Sequence, residues 1–211
     1  MTKVTVTENG PYLLSGTDAF TRLSDGKSYA VQGTVALCRC GASKNKPFCD
    51  GAHAKIGFSG DKDPDRVADV REDYAAAGIT VHDNRGLCAH AGRCTDGLPA
   101  VFRLRQEPFV DPAASAPDEI AGTIAQCPSG ALSYSVGGTE HRARGGDPAL
   151  GFVPAGPYVV RGGAELENAA LLEGGTTDHF ALCRCGKSKN KPFCSGAHWD
   201  VQFDEAAPPK K

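Results

Sequence analysis

The sixteen residues CRCGASKNKPFCDGAH at 38–53 contain Cys38, Cys40, Cys49 and His53. Nearly the same string returns as CRCGKSKNKPFCSGAH at 183–198, with Cys183, Cys185, Cys194 and His198. From Ala36 to His53 and from Ala181 to His198 the copies differ only at Ala42/Lys187 and Asp50/Ser195. A weaker likeness extends upstream, where GPYLLSG at 10–16 answers GPYVVRG at 156–162. An internal repeat governs the fold before any local propensity does. Each copy reads as short strands running into a cysteine-rich end, with a third unit of different spacing between the copies.

In KSYAVQGTVALCRC, residues 27–40, Tyr29, Val31, Val35 and Leu37 follow a mostly two-residue spacing, which predicts an extended approach to the cysteines. Alternate strand side chains share a face, so Cys38 and Cys40 project together while Arg39 and Arg184 point away. Pro47 fixes a turn, and a short helix is expected from Cys49 with Asp50 near its start, setting Cys49 and His53 on one face. Two pairs of donors therefore converge. Three thiolates and an imidazole suit either a structural zinc or an iron-sulfur cluster. Zinc knuckles commonly separate their cysteines by two to four residues. The C-x-C and C-x3-H pairs of this chain instead suit an extended strand clasping one iron and a helix clasping another.

The string satisfies C-x-C-x2-S-x3-P-x-C-D-G-[SA]-H at every defined position and so resembles the CDGSH iron-sulfur (NEET) family. The resemblance implies one [2Fe-2S] cluster on Cys38, Cys40, Cys49 and His53 and a second on Cys183, Cys185, Cys194 and His198. Asp50 would cap and hydrogen bond near the cluster, and Ser195 would do so without the charge. Ser43 and Ser188 are expected as cluster hydrogen bonders. Neutral imidazole in place of a thiolate removes a negative charge and raises the potential, and its protonation competes with metal. Because NEET domains usually pair as strand-exchanging homodimers, two copies in one chain imply an intramolecular pseudo-dimer and a monomeric protein.

The middle unit carries Cys88 and Cys94 in CAHAGRC, and Cys127 directly before Pro128. Bacterial ferredoxins use C-x2-C-x2-C and a distant C-P. The unit resembles a divergent single-cluster ferredoxin in which Ala91 stands at the second cysteine position. Three thiolates suffice for [3Fe-4S]; [4Fe-4S] needs a fourth donor, for which His90 is the nearest candidate. PDEIAGTIAQ from Pro117 predicts a helix with Asp118 and Glu119 at its positive end. Strands are expected in ITVHD at 79–83 and ALSYSV at 131–136, DPDRVADVREDY is open between helix and strand, and GGTEHRARGGDP reads as a mobile linker.

The fold class expected is α+β and β-rich, divided into CDGSH copies at 1–62 and 149–204, a ferredoxin-like insert at 63–148 and a flexible tail at 205–211. A net charge of -2 offers no basic field for nucleic acid, and no apolar run reaches the ~18–20 residues of a membrane span. Nine cysteines without an export signal fit a soluble, cytoplasmic metalloprotein better than a disulfide framework. Neither a dinucleotide fingerprint nor a nucleophile elbow is present, so no enzymatic activity is expected. The expected function is single-electron transfer with a redox partner protein. Cluster storage or delivery to an apo-protein acceptor is the alternative, and a structural zinc module a third. The KNK runs at 44–46 and 189–191 read as a docking patch or as solvated loops offsetting cluster charge. Trp199, Tyr12 and Tyr158 are expected to pack, and His82, His141 and His179 are given no function.

Overall fold

A computed structural model describes residues 1–205, which fold as an α+β, β-rich chain of small sheets with few helices. The first repeat supplies β1 (Lys3–Val6), β2 (Tyr12–Ser15), β3 (Ala19–Arg22), β4 (Ser28–Ala30), β5 (Val35–Leu37) and α1 (Ala52–Lys55). The middle unit follows with β6 (Arg71–Ala76), β7 (Ile79–Asn84), α2 (Arg93–Gly97), α3 (Pro117–Ile124), β8 (Leu132–Val136) and β9 (Thr139–His141). The second repeat adds β10 (Ala149–Phe152), β11 (Tyr158–Arg161), β12 (Glu165–Glu167), β13 (Phe180–Leu182) and α4 (Ala197–Asp200).

The repeats share their sheets. One runs β12-β1-β2-β5 and another β13-β11-β10-β3-β4, so each is joined across a parallel pairing of strands from different repeats. Strands of three or four residues cannot form a stable sheet alone. Pairing across the repeats gives their backbone groups partners and closes an apolar interior around Phe20, Phe152, Phe180 and Phe193, each about 1% exposed. At its centre the Tyr12 and Tyr158 rings meet edge to face at 5.9 Å. Their hydroxyls reach into the opposite repeat: Tyr12 donates to the carbonyls of Cys183 (3.1 Å) and Pro192 (2.8 Å), and Tyr158 to those of Cys38 (3.0 Å) and Pro47 (2.9 Å). The expected packing tyrosines thus also tie down the cysteine loops.

The third sheet, β6-β7-β8-β9, belongs to the middle unit and is antiparallel throughout. Ile79 and Val81 alternate into the same apolar core as Ile120 and Ile124 of α3, a helix that packs against β8. Of the ambiguous DPDRVADVREDY segment, 63–70 form neither helix nor strand, and only its end enters β6, where Arg71–Ala76 finds a full register on β7.

Some local expectations change. GGTEHRARGGDP is not a linker throughout, since Thr139–His141 forms β9 and His141 stacks on Tyr134 at 4.8 Å. The approach to Cys38 is two strands, β4 and β5, lying in different sheets. The helix after Cys49 begins only at Ala52, because Gly51 turns through a left-handed φ of 82°. Of the expected tail, Glu205 forms an ion pair with Arg184, and 206–211 lie outside the described residues. No helix of the described chain is long and apolar enough to cross a membrane.

Candidate metal centres

The strand β5 ends at Leu37 and delivers Cys38 and Cys40 with their Sγ atoms 3.9 Å apart; β13 does the same for Cys183 and Cys185 at 3.8 Å. Tetrahedral metal–thiolate bonds of ~2.3 Å place two sulfurs about 3.8 Å apart, so each C-x-C pair is spaced to chelate one metal. On the opposite side, Cys49 Sγ lies 3.4 Å from His53 Nδ1, and Cys194 Sγ lies 3.4 Å from His198 Nδ1. Among the described residues no three His, Cys, Asp or Glu side chains converge on one ion. Each C-x-C and C-x3-H pair is thus spaced to share one metal, as a two-iron centre would need.

The loops supply the electrostatics. Ala42 N–H donates to Cys40 Sγ at 3.5 Å and Gly51 N–H to Cys49 Sγ at 3.4 Å, with Gly196 N–H doing likewise for Cys194 at 3.5 Å. Cys38 and Cys183 are each lowered, first by the hydrogen bond from the neighbouring cysteine and then, against burial, by the main-chain amides of Ser43 and Gly41 or of Ser188 and Gly186. Their neighbours Cys40 and Cys185 are correspondingly held protonated. The loop amides thus favour the thiolate form that a metal would require. The hydroxyls of Ser43 and Ser188 face elsewhere: each donates at 2.7 Å to the carbonyl of Phe48 or Phe193 and so braces the loop.

The seam between the copies runs through the ligands. Cys40 and Cys185 form an antiparallel bridge, followed by Gly41 (φ 75°) and Gly186 (φ 74°). A Cβ on Gly41 would press on the carbonyl of Cys185, and one on Gly186 on the carbonyl of Cys40, so glycine is required twice by the same contact. Behind the pairs, Arg39 points away from the ligand face as expected, lying over Tyr12 and Phe58 and donating to Thr7 O and Gly60 O. Arg184 lies over Phe152, Tyr158 and Phe203.

Asp50 accepts from Lys44 N–H (2.8 Å) and Ala52 N–H (3.0 Å), tying the KNK turn to α1 and holding its own carboxyl below the usual range. Among the described residues no hydrogen bond from Ser195 replaces these. In the second copy Asn190 is instead buried and donates to Gly86 O of the middle unit. In the second KNK the middle unit thus covers Asn190, while Lys189 stays exposed.

In the middle unit Cys88, Cys94 and Cys127 line one cavity of about 490 Å³, with Ala131, Leu132 and Phe109 among its walls. Burial pushes Cys88 up to about 12, and His90 N–H donates to its sulfur at 3.4 Å. His90 also lines this cavity, and its side chain lies against Gly196 of the second repeated site, where an added Cβ would meet it at 2.8 Å. Trp199 Nε1–H donates to His90 O at 3.1 Å, and Ala89 packs with Ala181 and Cys194. The middle trio therefore abuts the second repeated site. Sequence reasoning missed Asp83 in the same cavity. It lies 1% exposed on the apolar face of β7, its oxygens without a hydrogen bond and Arg85 Nε 3.7 Å away, and burial raises its carboxyl to about 7. The signal was present in ITVHD, where Ile79, Val81 and Asp83 share a face. His82 and His179 are structural, bonded to Asp73 at 2.7 Å and Asp178 at 3.0 Å.

The family models that match are an iron-binding zinc finger of CDGSH type at residues 9–54 and 155–199, and a divergent 4Fe-4S mono-cluster domain at 74–137. The chain is also similar to the uncharacterized protein YjdI of Escherichia coli K12, and equally to that of E. coli O157:H7, at 34% identity over 61 residues. That alignment covers 29% of this chain and 80% of the relative.

Proposed function

Because the chain belongs to the CDGSH iron-binding family and carries a divergent 4Fe-4S mono-cluster domain between its two CDGSH copies, we propose that this iron-sulfur protein moves single electrons between protein partners, with no substrate chemistry of its own. Cys38, Cys40, Cys49 and His53 would hold one [2Fe-2S] group, and Cys183, Cys185, Cys194 and His198 the other. Cys88, Cys94 and Cys127 would hold a [3Fe-4S] group, or a [4Fe-4S] group with a further donor such as His90. Such groups supply one-electron couples, and histidine ligation sets those of the repeated sites at higher potential than four thiolates would. The chain's own part is to fix paired donors, point main-chain N–H groups at the sulfurs and exclude water. The exchanged strands and reciprocal tyrosine bonds support an intramolecular pseudo-dimer, hence a monomer, with domains at 1–62, 63–148 and 149–204. Nine free thiols fit a reducing cytoplasm.

The observation that carries electron transfer is burial at the contact between two centres. Cys194 is 3% and His198 6% exposed, and Cys194 packs against Ala89 of the middle unit. An electron can cross such a junction, whereas an intact cluster could leave only if the junction opened. The first copy supports delivery as a second reading, because Cys49 and His53 are only half-buried. Incubation of the loaded protein with an apo-ferredoxin separates them. Electron transfer predicts that iron stays with the donor while a reductase reduces it within the mixing time. Rapid appearance of holo-ferredoxin would instead establish delivery.

A further inference from the structure

All three units contribute to a second cavity, of about 780 Å³, which opens beside the second CDGSH site. His198 lines it, so a ligand of the second centre stands at its wall. So does Trp199, the chain's single tryptophan, which is 65% exposed although large apolar side chains usually find cover. The indole is nevertheless held in place: its N–H is bonded to His90 O, and its ring lies 5.1 Å from that of His198. Leu23 (44% exposed) and Val153 (39% exposed) extend the apolar surface on the far wall.

The rim is cationic. Arg93, Arg144 and Arg161 line the cavity against one carboxylate, Asp96. Arg93 and Arg161 are exposed and, among the described residues, their side chains have no hydrogen bond or ion pair. Arg144 reaches the carbonyl of Cys127, a middle-site cysteine, at 3.4 Å. A fixed, exposed tryptophan among unpaired arginines is the side-chain chemistry of an interaction hot spot. The first copy lacks this construction, with Ala54 at the position of Trp199 and Lys55 at that of Asp200.

We propose that this Trp199 and arginine face is the docking surface for an acidic redox protein, which exchanges electrons there with the second CDGSH centre and the middle centre. Charge complementarity selects the partner class: the unpaired guanidinium groups would meet carboxylates, and the indole would enter the centre of the contact. The inference rests on the electron-transfer reading and names where and with what kind of partner that transfer occurs.

The test uses the loaded full-length protein and, as probe, a reduced acidic plant-type ferredoxin lacking tryptophan. Binding is followed by Trp199 fluorescence and electron transfer by stopped-flow absorbance. For the parent, binding and rate are expected to fall steeply as salt rises, since opposite charges steer association. The double variant Arg93→Glu/Arg161→Glu should lose about tenfold or more in rate at low salt and lose the salt dependence, with iron content and cluster absorbance unchanged. Trp199→Ala should weaken binding, read calorimetrically, by roughly thirtyfold. Charge reversal at Lys55 and Lys62, exposed residues that do not line the cavity, should leave both readouts as in the parent. Parental rates and salt dependence in the arginine variant overturn the docking surface while leaving electron transfer intact. Binding that needs the arginines but passes no electron supports the surface and removes the electron-transfer reading. A parent that does not bind the ferredoxin, but whose fluorescence responds to millimolar pyrophosphate, overturns a protein partner in favour of a small anion.

Discussion

The two CDGSH copies share almost every residue of their ligand loops, and they differ in what lies over them. Cys49 and His53 stand half-buried at the surface, whereas Cys194 and His198 are 3% and 6% exposed under the middle unit. Burial pushes Cys194 up to about 12 and lowers the affinity of His198 for a proton. Each loop is also braced by different means. Asp50 secures the first from within, through two main-chain N–H groups; Asn190 secures the second from without, through Gly86 of the middle unit. A tandem copy can therefore lose an internal brace once a neighbouring domain supplies an external one, and the two sites become unequal without any change of ligand.

The largest effect is expected where the copies still act as one. Gly41→Val would force a left-handed backbone on a β-branched residue and drive its Cβ into the carbonyl of Cys185, at an estimated cost of up to ~5 kcal/mol. Both repeated sites should lose iron together, as seen in metal content and visible absorbance. Gly51→Ala, with a similar φ but open space around it, should cost only about 1–2 kcal/mol and affect the first site alone. Unequal loss at the two sites in Gly41→Val would show that the seam does not couple them.

A second effect should act through the middle unit, which covers only the second copy. Asp83 ionises near its ordinary value when unfolded and at about 7 when folded, so the folded chain holds the extra proton between those limits. Its contribution is thus most favourable at low pH and falls as pH rises through about 7, with a ceiling of roughly 4 kcal/mol set by the shift. Asp83→Asn should gain stability over the parent at pH 8 and gain little at pH 4.5, read by thermal melting across that range. If the two proteins keep a constant difference across it, Asp83 is not the titrating group.

How much of this was legible in the sequence depended on whether the cause was local. The donor pairs come from residues at most four apart, and strand alternation together with a short turn places them, so CRCGASKNKPFCDGAH sufficed to propose both. The α3 helix declared itself through Pro117, Asp118 and Glu119 for the same reason. The covering of one copy by the middle unit could not be read, because it depends on Asn190 meeting Gly86 and on Gly196 meeting His90, pairs about a hundred residues apart. Trp199 illustrates the limit. Its counterpart Ala54 marked it as a difference between the copies, but composition suggested packing, and only the fold shows the indole outside, bonded to His90.

Removing the external brace should make the second site behave like the first. Asn190→Ala deletes a buried bond to Gly86 O and leaves that carbonyl without this donor, at a cost of about 1–3 kcal/mol. Iron at the second site should then yield to a chelator severalfold faster, approaching the rate of the first, while the first stays unchanged.

The smallest effect separates the internal brace from the charge that carries it. Asp50→Ser reproduces the residue of the second copy without giving the first copy a covering domain, and the two N–H groups of Lys44 and Ala52 lose their acceptor. Because the carboxylate is exposed, solvent screening limits the loss to about 1 kcal/mol or less. The Lys44 bond, the largest cause, holds the carboxyl below its ordinary value, so the contribution is fully present above that value and disappears as pH falls through the folded one. Chelation of first-site iron should therefore be modestly faster in Asp50→Ser than in the parent at neutral pH, and the two rates should converge in acid. Asp50→Asn, which keeps acceptor oxygen without charge, should lie between them; if it matches Asp50→Ser at neutral pH, the brace depends on the charge rather than on the hydrogen bonds. A second-site rate that moves with either variant would show that the copies are coupled through more than the glycine seam.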